Sequence, residues 1–196
     1  MKTDKIIIYG SQYGSAEKYA KELSKRIGYD CIRYEDVEDI NAYSTIIYVG
    51  SLYAGGVQGM KKTLKKLSSV ENKKIVIATV GLADPTDKEN IESIRANMRR
   101  QLSGEVYEKA EIFHLRGAID YSKISFLHKK MMGLLCKKAA NLPEEKKNAE
   151  VRAMLETYNK QVDFIDFDTL KPILEMLCAN NYTSVLNDPF RQHIVL

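Results

Sequence analysis

The segment Gly10-Ser-Gln-Tyr-Gly-Ser-Ala16 links a short apolar run, Lys5 to Tyr9, to a stretch whose apolar positions are Ala16, Tyr19, Ala20, Leu23 and Ile27. A turn of small residues between a strand and a helix lets backbone approach an anion closely, and the first amides of the helix point at it. Ser11 and Ser15 add hydroxyl donors, and Gln12, Tyr13, Gly14 and Ala16 complete a candidate phosphate cradle. The segment has neither the lysine-then-hydroxyl ending of a P-loop nor the spacing G-x-G-x-x-G. Nucleoside triphosphate hydrolysis and dinucleotide binding are therefore disfavoured.

Two further segments have the same character. Ser51, Leu52, Tyr53, Ala54 and Gly55 follow the apolar run Thr45 to Val49, and Thr79, Val80, Gly81, Leu82, Ala83 and Asp84 close and follow the run Lys74 to Val80. Tyr53 offers an aromatic ring to stack on or border a planar ligand, and Gly81 and its neighbours offer backbone donors and acceptors. Gly117 lies just beyond another apolar run, Glu111 to Leu115.

These segments need a scaffold, and the periodicity describes one. Five strands are expected: Lys5–Tyr9, Asp30–Tyr34, Thr45–Val49, Lys74–Val80 and Glu111–Leu115. Their short, continuous apolar runs are the pattern of strands buried on both faces. Between them lie helical stripes: Ala16 to Ile27; Met60, Leu64 and Leu67; and Ile91, Ile94, Met98 and Leu102, the last opened by Asp84 as cap and Pro85 in the first turn. A final helix runs from Phe167 to Ala179, with Leu170, Leu174 and Leu177 in register. Strand alternating with helix implies an α/β doubly wound parallel sheet, with ligands held beyond the carboxyl ends of the strands.

About fifty residues separate the fifth strand from the final helix, far more than an ordinary connection. Residues 117–165 therefore form a helical, basic insertion in a single domain spanning 1–196, with a tail at 181–196. Ile124, Leu127, Met131, Leu134, Leu135 and Leu142 are expected on one helical face, and Lys123, Lys129, Lys130 and Lys137 on the other. In the tail, Tyr182, Val185, Leu186, Phe190 and Ile194 are expected to pack.

The 196 residues carry 30 basic and 26 acidic side chains. From Tyr121 to Asn141 there are five lysines and no acid, so the rest holds 25 basic against 26 acidic residues. The positive excess thus belongs to the insertion; a second run, Lys61 to Lys74, is also basic. No apolar run approaches the length of a membrane span, and the start runs straight into a strand with no signal-peptide core. Cys31, Cys136 and Cys178 are too far apart for metal-ligand spacing or a disulfide framework. His114 alternates within its strand as a core residue, His128 reads as a surface position on the insertion, and His193 falls in the tail.

The run Tyr9-Gly-Ser-Gln-Tyr-Gly-Ser-Ala-Glu17 resembles the phosphate loop of flavodoxins, with Tyr13 standing where many members have threonine and Ala16 where many have threonine or alanine. The resemblance implies a flavodoxin-like fold, FMN as cofactor, and the second and third segments as the loops around its ring. Gly-Ser-Leu-Tyr-Ala-Gly-Gly56, Leu115-Arg-Gly-Ala-Ile-Asp-Tyr121 and the long basic insertion resemble the menaquinone-dependent protoporphyrinogen oxidase branch. That implies an oxidoreductase passing electrons through FMN to a quinone or similar acceptor. The flavin performs the chemistry, so no catalytic side chain is expected, and no metal. The alternatives are an electron carrier without its own substrate, from which the basic pI near 8.8 departs, and a flavin-free interaction scaffold.

The expected setting is cytoplasmic. The insertion helix reads first as packing its apolar face on the domain with its lysines in water, the alternatives being a peripheral contact to an anionic membrane through Lys123, Lys129, Lys130 and Lys137, or a partner or dimer surface. Oligomers fit the pattern, and no nucleic acid is expected.

Overall fold

The computed structural model describes residues 4–53 and 55–186. The chain divides into two compact units, Met1–Ile165 and Asp166–Leu196.

The first unit is built on a parallel sheet of β1 (Lys5–Gly10), β2 (Asp30–Arg33), β3 (Thr45–Tyr53), β5 (Lys74–Gly81) and β6 (Glu111–Arg116), in the order β2-β1-β3-β5-β6. This is the doubly wound α/β architecture expected, and the order reverses direction between β1 and β3, where such sheets hold ligands. Pairing is in register along the sheet, with Gly10 opposite Gly50 and Gly50 opposite Thr79. Side chains alternate between faces. Ile6, Ile8, Ile46, Tyr48, Ile75 and Ile77 join one core with Met60, Ile94 and Met98, while Ile7, Ile47 and Val76 are equally buried on the opposite face. Each fully buried Ile contributes about 1.5–3 kcal/mol, so the central strands anchor the unit.

β3 runs on to Tyr53, past the expected end at Val49, because Gly50 and Ser51 still pair with β5. The chain then doubles back as β4 (Gly56–Val57), antiparallel to Leu52 and Tyr53. The helices are α1 (Ser15–Ile27), α2 (Met60–Leu64), α3 (Lys88–Gln101) and α4 (Gly104–Lys109). Helix α2 ends before Leu67, which still packs against the core. Asp84 does not cap α3 as expected. Its carboxylate accepts from Thr86 N and Oγ1, and Asp87 is the cap, accepting from Glu89 and Asn90. Helix α4, unanticipated from the periodicity, is capped by Ser103 Oγ.

The insertion is closed at its root by an antiparallel ribbon of β7 (Ala118–Asp120) and β8 (Gln161–Asp163), with Ile119 opposite Val162. Between its strands lie α5 (Phe126–Ala140) and α6 (Ala149–Thr157). Leu142-Pro143 ends the first, and Asn148 caps the second through Val151 N. The division of faces expected for α5 does not hold. Cys136 and Ala139 are its buried residues, whereas Leu127 and Leu134 are 74% and 63% exposed. Small residues give the close approach: a Cβ on Gly133 would lie 2.9 Å from Tyr158 Oη. The larger side chains, one helix face away, are left outside together with Lys130 and Lys137.

The second unit begins with a 3-10 turn over Phe167–Leu170 and continues as α7 (Lys171–Leu186), with Pro172 in its first turn. Leu170, Ile173 and Leu177 are its buried positions, and Leu174 is half-buried. The packing expected of Tyr182, Val185, Leu186, Phe190 and Ile194, together with His193, lies outside the described side chains. No helix among the described residues is long and apolar enough to cross a membrane.

Candidate functional site

Three connections leave the carboxyl ends of β1, β3 and β5 side by side. The first needs two glycines. Gly10 sits where a Cβ would fall 2.2 Å from the backbone oxygen of Gln58, so the β1 and β4 chains can meet only without a side chain there. Gly14 has φ 89° and stands at the N-cap of α1. As glycine it supplies no side-chain cap, so the first amides of this 13-residue helix keep their donors for something else. Beside them the Ser11 Oγ is buried without a partner, and so is the Tyr13 hydroxyl.

The remaining members of this loop serve the protein itself. Gln12 N donates to Ser51 Oγ at 3.3 Å, and its side-chain oxygen accepts from Gln58 Nε2 at 3.2 Å, tying the first connection to the second. Ser15 Oγ donates to Ala118 O at 3.1 Å and accepts from Ala118 N at 2.8 Å. Its hydrogen is therefore engaged by the insertion and is not offered to an anion. The Ala16 side chain is fully buried on the core side of α1, which leaves its backbone amide as the part that faces the anion.

The connections border a cavity of about 270 Å³, close to the lower end of ligand sites at about 300–1,000 Å³. From the first connection come Tyr13 and Ser15; from the second, Ser51, Leu52, Tyr53 and Gly55; from the third, Val80, Gly81, Leu82 and Ala83; and Gly117 closes the floor. Ala54 lies outside the described residues. Tyr13 packs edge-on to Tyr53, centroids 6.5 Å apart, and to His128, 6.3 Å apart. His128 is thus half-buried against the loop, where the sequence pointed to open surface. Two expected members turn away from the cavity. Thr79 Oγ1 bonds His114 Nδ1 at 2.8 Å inside the sheet, and Asp84 is exposed, its carboxyl held below the ordinary range by the two Thr86 bonds.

His114 is half-buried in its strand, short of the satisfied core residue expected, for its Nε2 is buried without a partner. Burial, then the positive Arg95, lowers its pKa from 6.5 to about 4, so it stays neutral.

The opposite wall comes from the insertion, through residues that were not among the expected site members: Ile119 on β7, Met131, Met132 and Leu135 on α5, and Glu150 and Met154 on α6. Asn90 on α3 joins them, its Nδ2 donating to Asp84 O at 2.9 Å. The Met131-Met132 pair was the one available hint, since thioethers suit adaptable apolar surfaces. Glu150 is the only charged residue among the described members of the lining; the residue is exposed as a whole and stands at the cavity's open edge, where desolvation raises its carboxyl above the ordinary carboxylate range. The wall is fastened to the sheet: Gly117 N donates to Gly81 O at 2.7 Å, Arg116 Nε to Leu82 O at 3.0 Å, and Arg116 stacks over Phe164.

The arrangement offers an anion site of free helix amides and a buried hydroxyl, adjoining a largely apolar cavity with one carboxyl at its edge. Residues 6–147 match the family described as a flavodoxin domain. No curated protein matches the chain.

Proposed function

The chain belongs to the flavodoxin domain family, and from that premise we propose that it is an FMN-binding oxidoreductase that passes electrons to an apolar, quinone-class acceptor. The observation that carries this reading is the cavity, bordered by connections from β1, β3 and β5 and roofed by the insertion. The residues fit the cofactor. The partnerless Ser11 Oγ and the uncapped amides of α1 suit its phosphate, and Tyr13, Tyr53 and Leu82 border a space suited to a planar ring. Bound there, FMN supplies reversible transfer of one or two electrons.

The chain's own residues do the rest. Tyr53 and Tyr13 orient the ring through their edge-on pair, and backbone groups around Gly81 lie at the cavity wall to meet its polar edge. Met131, Met132, Leu135 and Met154 exclude water and present an apolar, deformable surface to an acceptor. Glu150 holds a proton on its carboxyl at pH values where an ordinary glutamate has lost it, ready for an acceptor oxygen. Oxidation of a porphyrinogen is the donor reaction to assay first, on the resemblance of the insertion.

The test is direct. Purified protein should show a two-banded flavin spectrum or bind FMN saturably in the apo form, Ser11→Ala should weaken that binding, and a water-soluble quinone should reoxidise the reduced protein. Absence of both flavin and FMN binding would sink the proposal.

A further inference from the structure

We propose that the outward face of α5 is a docking surface for an anionic lipid bilayer. Phe126, Leu127 and Leu134 are 73%, 74% and 63% exposed, and Leu135 is 45% exposed. Four large apolar side chains on one 15-residue helix are not the scattered surface leucines of ordinary domains. Leu127 and Leu134, seven residues apart, share one stripe flanked by Lys130 and Lys137, which are also seven apart, with Phe126 beside those lysines and Leu135 round the helix at the cavity edge. Exposed leucines and a phenylalanine with lysines beside them can meet a membrane interface through one side of the helix. The apolar residues enter the acyl boundary and the long lysine stems reach back to head groups.

Charge decides among occupants. The 21 residues from Tyr121 to Asn141 hold five lysines and no acid. Two of these cations are engaged locally, Lys123 with Asp120 at 3.2 Å and Lys129 with Ser122 O at 3.3 Å. Lys130 lies 4.8 Å from the Phe126 ring centre, and Lys130, Lys137 and Lys138 have no ion-pair partner among the described residues. A second copy would bring the same positive face against this one, which repels. A sheet of anionic head groups over hydrocarbon satisfies lysines and leucines together. The surface is continuous with the cavity, because Leu135 belongs to both. The inference goes beyond the flavin reading and does not need it, since vesicle binding requires no filled cavity.

The chain contains no tryptophan, so Leu127→Trp installs a single reporter at an exposed position. The full-length variant, with far-UV circular dichroism matching the parent, is titrated with vesicles of phosphatidylcholine alone and of phosphatidylcholine mixed with phosphatidylglycerol. Expected are a blue shift with the anionic vesicles only, quenching by brominated acyl chains, and weakening by salt. Adding Lys130→Glu and Lys137→Glu should lower vesicle affinity by on the order of tenfold or more. Replacing Leu134 by serine in the reporter variant should also weaken it. An unshifted spectrum with anionic vesicles, equal binding after charge reversal, or a blue shift that grows with protein concentration without lipid would overturn the proposal, the last pointing to a second copy. FMN titration of the same variant reports separately on the cavity.

Discussion

Ser15→Ala removes a single oxygen and with it both hydrogen bonds that clamp the insertion to the start of α1. Ser15 is 6% exposed, and its Oγ serves the N–H and the C=O of Ala118 at 2.8 and 3.1 Å. Alanine leaves both backbone groups facing a methyl. A buried polar group deprived of its partner costs about 1–3 kcal/mol. The Ala118 groups border the cavity, so water can re-satisfy part of that loss, and the expected destabilisation is about 2–3 kcal/mol. With a urea slope of about 1–3 kcal/mol per molar, the unfolding midpoint should fall by about 1–2 M with the slope unchanged. Urea titration followed by circular dichroism reads this, and hydrogen exchange at the Ala118 amide should accelerate. The same substitution should leave FMN affinity less affected than Ser11→Ala, because the Ser15 hydrogen is already donated. A loss below about 0.5 kcal/mol, the level of an ordinary surface change, would refute the clamp. A larger fall in FMN affinity than Ser11→Ala causes would return Ser15 to the phosphate site.

His114 titrates near 6.5 when exposed and near 4 in the fold. Between those values the unfolded chain binds a proton that the folded chain refuses. The stability tied to this group is therefore complete above pH about 6.5 and is lost as pH falls toward 4, by about 2–3 kcal/mol after allowing for its partial exposure. His114→Asn should flatten that part of the stability–pH curve, and an unchanged slope would contradict the assignment. Gly10→Ala places a Cβ 2.2 Å from a backbone oxygen that cannot swing away. It should destabilise by about 2 kcal/mol or more in thermal melts, whereas an unaltered melting temperature would mean that β1 and β4 separate easily. Glu150→Gln should slow quinone-dependent reoxidation of the reduced protein at low pH, where the parent carboxyl is protonated, and should abolish the parent's decline as pH rises through its elevated pKa. Identical pH profiles for the two proteins would remove Glu150 from proton delivery.

The parallel sheet was legible residue by residue. A strand buried on both faces must be apolar throughout, so Ile6-Ile7-Ile8, Ile46-Ile47 and Ile75-Val76-Ile77 declare themselves without any knowledge of their neighbours. The same holds for the three connections at the strand ends, because a backbone that must approach an anion or turn sharply is written in small residues such as Gly10 and Gly14. Contacts between elements far apart in sequence leave no such local trace. Ser15 reads as a phosphate donor until Ala118, 103 residues away, takes its hydroxyl. Thr79 reads as a ligand-site residue at a strand end until His114 lies beside it. Glu150 looks like any charged residue at a helix start, and becomes a cavity carboxyl only because the β7–β8 ribbon folds the insertion back over the strand ends. Periodicity assigned α5 an apolar face and a lysine face, and the structure keeps neither apart. Helix packing selects for close approach as well as for hydrophobicity, so Gly133, Cys136 and Ala139 turn inward and leave Leu127 and Leu134 to the outside.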